Sequence, residues 1–136
     1  MSAVMEKGYV LVVDDEPLLC RMVSAMLLRA GYDTRTAING QDALQQATQQ
    51  PPRVITLDVM MPDMSGIEVA RHLRSTPETA GIPIIFVTAL DRSVSMDLRR
   101  FTEEPDVYQL DKPFSRAQLL AQVEIALQSK EGREAN

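Results

Sequence analysis

The chain is short of most features that mark a secreted, membrane-embedded or nucleic-acid-binding protein. Cys20 is its only cysteine, which excludes an internal disulfide and any cysteine-based metal cluster and leaves ordinary helix packing as the reading for that thiol. Tryptophan is absent and aromatic residues make up 4%, too little for a base-stacking platform. The single histidine, His72, falls in a segment of helical period and reads as a surface or packing residue. No apolar run approaches the roughly 18 residues that span a bilayer, and Met1 to Gly8 mixes acid and base without the apolar stretch of a signal peptide, so the expected location is cytoplasmic. Surplus positive charge is missing too. A net charge of -5 at pH 7 repels phosphate backbones and anionic lipid, so neither direct nucleic-acid binding nor membrane attachment is expected.

What is present is a regular alternation. At 136 residues and 45% hydrophobic content the chain suits one domain with a single sizeable core. Short Val- and Ile-rich runs over Tyr9 to Val13, Asp33 to Ala37, Arg53 to Leu57, Ile82 to Val87 and Val107 to Leu110 alternate with segments of helical period. This pattern predicts a doubly wound α/β fold, a parallel sheet with helices on both faces. The first helix is expected from Pro17 to Gly31, with Asp15 or Glu16 near its cap. Others are expected from Gln41 to Gln49, from Ser65 or Gly66 to just before Pro77, from Arg92 to Phe101, and from Ser115 to Ser129. Residues 1–8 read as an N-terminal extension and residues 130–136 as a frayed polar tail.

In an open parallel sheet ligands bind beyond the carboxyl ends of the strands, where the strand order reverses. Unusual polar residues sit at those ends: Asp14 and Asp15 after the first run, Asp58 after the third, Thr88 after the fourth and Lys112 after the fifth. The second run contributes nothing comparable, as an edge strand would. Taken singly each residue has an ordinary explanation. The Asp pair could cap the helix that Pro17 opens, Asp58 could start a loop, Thr88 could be a buried strand residue, and Lys112 could form a plain salt bridge. Together they make a different case. Carboxylates within a few Å disfavour one another's ionisation, and a hard dication removes the conflict; an all-oxygen set without His or Cys suits Mg²⁺ better than zinc. Lys112 precedes Pro113 and is restricted in backbone geometry, and a cation, a hydroxyl and a metal around one carboxylate form a receptor for a phosphoryl group. Met60, Met61 and Pro62 are expected to leave an apolar, solvent-visible loop of the kind a partner covers.

The ordered set Asp14, Asp15, Asp58, Thr88 and Lys112-Pro113 resembles the receiver domain of two-component response regulators, over residues 9–129. The resemblance implies a flavodoxin-like (βα)5 fold of strand order 2-1-3-4-5. It implies that Asp58 is the phosphoacceptor, supplied by a sensor histidine kinase or histidine phosphotransfer protein. It further implies that Asp14, Asp15, Asp58 and the backbone carbonyl of Met60 hold Mg²⁺, with Mn²⁺ as a substitute, and that Lys112 and Thr88 bind phosphoryl oxygens. Such a chain is a signalling phosphoacceptor and not an enzyme acting on other substrates. Its switch is the face built by the helix expected over 92–101, the fifth strand and the last helix, read by an output domain, a protein partner or a second copy.

The chain departs from the family at Gln109, where an aromatic switch residue is usual; Tyr108 lies one place earlier, on the opposite strand face by alternation. The approach to the fifth strand, Thr102 to Asp106, is acidic where the family has a small, glycine-containing segment. Met60 and Leu90, two places after Asp58 and Thr88, are expected to shield the phosphoryl group from water. Met5, Met22, Met26 and Met96 read as core or interface filler, and Arg99 and Arg100 as a short solvated basic spot. Two alternatives stay open: an Mg²⁺-dependent phosphatase with an aspartyl nucleophile, which would want an acid two residues on where Met60 stands, and an unphosphorylated scaffold of the same fold.

Overall fold

A computed structural model describes residues 8–89, 98–100 and 103–134, with side chains to residue 129. The elements run β1 (Val10–Val13), α1 (Pro17–Arg29), β2 (Thr34–Ala37), α2 (Gly40–Gln49), β3 (Val54–Asp58), α3 (Gly66–Ser75), β4 (Ile84–Thr88), β5 (Val107–Asp111) and α4 (Arg116–Glu134). All strand pairs are parallel and the order is β2, β1, β3, β4, β5. The sequence expectation of a 2-1-3-4-5 sheet holds, including the edge position of β2.

Alternation along each strand divides the core in two. Leu11, Val13, Ile55, Leu57, Ile84 and Phe86 pack with Ala43, Ala47, Val69 and Leu73 of α2 and α3. Val10, Val12, Val54, Ile85 and Val87 pack with Cys20, Val23 and Leu27 of α1 and Leu119, Val123 and Ala126 of α4. Burial on both faces is why the central strands read as unbroken apolar runs.

Local signals set the helix ends. Pro17 takes the first helical position of α1, and Gly31, at φ +95°, supplies the left-handed residue that ends it while the Tyr32 amide donates to the Leu27 carbonyl at 3.0 Å. The Asn39 side chain caps α2 by accepting from the Asp42 amide, and Ser65 caps α3 at the Glu68 amide. Ser115 and Gln118 exchange reciprocal bonds at the start of α4, a capping box. No described helix is long and apolar enough to cross a membrane.

Three expectations need correction. The polar tail is not frayed from residue 130, because α4 continues to Glu134; Lys130, Glu131, Arg133 and Glu134 are polar but good helix formers, and elongation of a helix already nucleated carries it through the unfavourable Gly132. Met61 does not belong to a solvent-visible loop: it is buried in the core beneath α3, while Met60 beside it is 52% exposed. The fourth strand begins at Ile84, two residues later than expected, since Pro83 lacks an amide to donate and offers only its carbonyl to Ile55. The helix expected over 92–101 is represented by helical residues 98–100; Leu90, Met96, Met5 and the rest of that expectation lie outside the described residues.

Candidate functional site

β1 and β3 are neighbours in register, Val13 opposite Leu57, so the residues that follow them emerge together at one edge of the sheet. Asp14 and Asp58 are buried, at 6% and 4% exposure, and Asp15 is half-buried. One carboxylate oxygen from each of the three lies within 4.8 Å of the others. β5 brings the cation: the Lys112 ammonium is 3.3 Å from Asp14 Oδ2 and 3.7 Å from Asp58 Oδ1. Lys112 is fixed from behind by its amide, which donates to the Thr88 carbonyl at 2.8 Å, and it precedes a cis bond to Pro113. Four of the predicted site residues, Asp14, Asp15, Asp58 and Lys112, therefore converge.

Backbone groups aim the acids. The Glu16 amide at the start of α1 donates to Asp14 Oδ1 at 2.9 Å, and the Met60 amide donates to Asp58 Oδ1 at 3.3 Å. The Asp58 carboxyl is nevertheless pushed up to about 6, first by burial and next by the Asp14 charge, with the Lys112 ammonium and the Met60 amide opposing the rise. Beneath this edge the Cys20 thiol donates to the Asp14 carbonyl at 3.3 Å, and burial followed by the Asp14 charge pushes its pKa up. It is a packed, un-ionised thiol, as expected.

Thr88 is at the end of β4 and buried, its hydroxyl donating to the Ala89 carbonyl at 2.8 Å. Gln109 and Tyr108 separate as strand alternation requires: Tyr108 packs against the core beneath α1 and α4, whereas Gln109 is exposed on the other face with its Nε2 bonded to Asp111 Oδ1 at 2.8 Å. His72 is exposed on α3, and Arg99 and Arg100 are exposed.

Among the described residues three carboxylates cluster beside one ammonium, which reaches Asp14 and Asp58, an excess of two negative charges when all are ionised, the charge a dication would balance. The donors are all oxygen, and such an ion would offset both causes of the raised Asp58 pKa, burial first and the Asp14 charge next. The residues fit Mg²⁺.

Sequence reading missed two backbone features. Gly66 presses on the acid site: a Cβ there would lie 2.3 Å from the Asp58 carbonyl oxygen. The Asp63 carboxylate accepts from the Gly40 amide of α2 at 3.1 Å. A glycine just inside a helix start was a visible signal for the first; the second joins residues 23 apart and left none.

Residues 10–124 match the family described as response regulator receiver domain. The probable transcriptional regulatory protein TcrX of Mycobacterium tuberculosis is 42% identical over 118 residues, 87% of this chain and 49% of that protein. The DNA-binding dual master transcriptional regulator RpaA of Synechocystis is 36% identical over 87% of this chain and 48% of its own length. The chain thus spans about half the length of these curated relatives. Among solved structures, a putative response regulator from Chloroflexus aurantiacus superposes with a TM-score of 0.79 at 31% identity, covering 89% of this chain and 98% of that one. A CheY-like receiver domain protein of Methanospirillum hungatei shares the fold, with a TM-score of 0.82 at 21% identity over 93% and 98% of the two chains. The acidic edge with its lysine and the sheet order are those of one family: this chain belongs to the response regulator receiver domains of two-component signalling, with their CheY-like flavodoxin fold.

Proposed function

We propose that Asp58 accepts a phosphoryl group from a phosphohistidine of a sensor histidine kinase or a histidine phosphotransfer protein. The observation that carries this reading is the Lys112 ammonium standing between Asp14 and Asp58 at the edge of a three-carboxylate cluster. A carboxylate oxygen of Asp58 attacks phosphorus in line, the P–N bond breaks, and its electron pair returns to the imidazole nitrogen, leaving an acyl phosphate. Lys112, already within reach of Asp58, neutralises charge on a phosphoryl oxygen. Asp14, Asp15, Asp58 and the Met60 carbonyl would hold Mg²⁺, which supplies neutralisation of the transferring group. Thr88 would release the Ala89 carbonyl to donate to a second phosphoryl oxygen, and that rotation links chemistry to shape.

The responding face is then the one beside β5 and α4, where a partner protein, an output domain or a second copy would read the change. Gln109, tied to Asp111 in place of an aromatic residue, makes this coupling polar. The cytoplasm is the compartment this reading implies, and hydrolysis by an in-line water resets the state. The phosphatase alternative is weakened because Met60, exposed and apolar, occupies the place of the needed acid.

The test is incubation with Mg²⁺ and acetyl phosphate, followed by intact mass. One phosphoryl adduct should form, absent in Asp58→Asn and absent with a chelator. An adduct that persists in Asp58→Asn overturns the assignment; turnover of added phosphoesters supports a phosphatase, and no reaction at all supports a scaffold.

A further inference from the structure

The segment 59–65 between β3 and α3 carries Met60, whose amide touches the Asp58 carboxylate and whose carbonyl the proposed function assigns to Mg²⁺. It is pinned at its C-terminal end by the Gly66 amide, which donates to the Val59 carbonyl at 2.9 Å, and within by the buried Met61. A third tie comes from outside. Asp63 reaches across to α2, where Oδ2 and Oδ1 accept from the Gly40 amide at 3.1 and 3.4 Å. Gly40 permits the approach, because a Cβ there would lie 2.9 Å from Met64 Cβ and 3.0 Å from Val69 Cγ2.

We infer that Asp63 is a positioning residue, which holds the segment against α2 so that Met60 and Asp58 meet the divalent cation in one fixed arrangement. The inference rests on the phosphoacceptor reading. Helix capping alone does not account for the contact, since the N-terminus of α2 already has a local cap, with Asn39 Oδ1 accepting from the Asp42 amide at 2.8 Å. Asn39 belongs to the helix it caps. Asp63 belongs to the segment that touches the acid site, and its charge at the positive end of α2 favours the docked position. Without it, the long Met60-to-Asp58 bond loses a restraint.

Because Asp63 acts through the segment, its removal should weaken Mg²⁺ binding by about fivefold, below the roughly tenfold or greater loss seen when a group bonded directly to a ligand is removed. The test titrates Mg²⁺ alone into the whole chain by calorimetry and amide NMR, and measures hydrogen exchange of the Met60 amide without metal. Asp63→Ala should show the weakened affinity and faster Met60 exchange. Asn39→Ala, which removes the local cap, should show neither, and Asp63→Asn, which keeps an acceptor oxygen, should restore most of the affinity. Should Asp63→Ala fail to fold, Gly40→Ala, which pushes the same segment off α2, must give the same loss. Undiminished affinity in Asp63→Ala, or an equal loss in Asn39→Ala, overturns the positioning role alone. A wild-type chain that binds no Mg²⁺ overturns the phosphoacceptor reading and this inference with it.

Discussion

The two ends of the sheet use charge in opposite ways. At the carboxyl end, among the described residues, three carboxylates cluster beside one ammonium, and burial followed by the Asp14 charge raises the Asp58 pKa. At the amino end Arg74 of α3 donates to the Ile82 carbonyl at 2.8 Å and the Asp106 carbonyl at 3.4 Å and pairs with Glu104 at 4.0 Å. The Asp106 carbonyl also accepts from the Ile84 amide, so one turn ties α3, β4 and β5 together. The amino end satisfies backbone groups and closes the fold. The carboxyl end holds unfavourable charge that a proton or a bound cation would relieve, which marks a candidate site rather than a clamp.

The largest effect expected from breaking this contrast is in rate. Lys112→Ala should slow acyl-phosphate formation from acetyl phosphate by about a hundredfold, the scale for losing a fixed charge that stabilises a developing anion. Arg74→Ala should leave that rate within about twofold while lowering unfolding free energy by roughly 2–3 kcal/mol, because charge-assisted bonds to buried carbonyls are lost. Time courses by intact mass and denaturant titration of both variants check the pair. Equal rate losses in the two variants would erase the distinction between the ends.

Next in size is the charge stored at Asp58. Its carboxyl is raised from an ordinary 3.8 to about 6, so between those values the folded protein holds a proton that the unfolded chain has released. The stability from that proton is full below pH 3.8 and is lost as pH rises through about 6. At pH 7 without metal the ionised group therefore opposes folding. Asp58→Asn should stabilise the metal-free chain at pH 7 by about 1–2 kcal/mol, less than the whole shift converts to because the amide is itself a buried polar group that must find partners. The gain should vanish near pH 4 and shrink when wild type is saturated with Mg²⁺. Thermal unfolding across pH reads all three, and a gain independent of pH would deny the charge its part.

How much of this was legible in the sequence follows from the range of each cause. The apolar runs gave β1 and β3 because both faces of those strands are buried, and the polar residues ending each run gave the site because parallel strands share one carboxyl edge. Tyr108 and Gln109 were assigned to opposite faces by alternation alone, and they lie there. Met61 was misread because it stands beside the exposed Met60 in a segment without period, so nothing local says which of the two turns inward. The Asp63 tie joins residues 23 apart and left no local signal, whereas the approach of Gly66 to Asp58 was signalled by a glycine just inside a helix start. The hydroxyl of Thr88 was assigned to a ligand, and its present partner, the Ala89 carbonyl, depends on a rotamer that sequence does not encode.

The smallest effect sharpens the account of the amino end. Asp106 holds a left-handed backbone, φ +63°, at the turn where the family has a small, glycine-containing approach. That conformation crowds a Cβ against the backbone, and Asp tolerates it better than most residues without escaping it. Its side chain is buried, so replacing it changes packing as well as backbone freedom, and no single substitution isolates the backbone part. A pair does. Asp106→Gly and Asp106→Ala both remove the carboxylate and differ mainly in whether a Cβ occupies the left-handed position. Ala should be the less stable of the two by about 1 kcal/mol, read from denaturant midpoints, with the Arg74 bond to the Asp106 carbonyl kept in both. If the two variants unfold together, the turn relaxes out of the left-handed region when the carboxylate is gone. The amino end would then be held by the Asp106 side chain rather than by the backbone geometry that Arg74 reads.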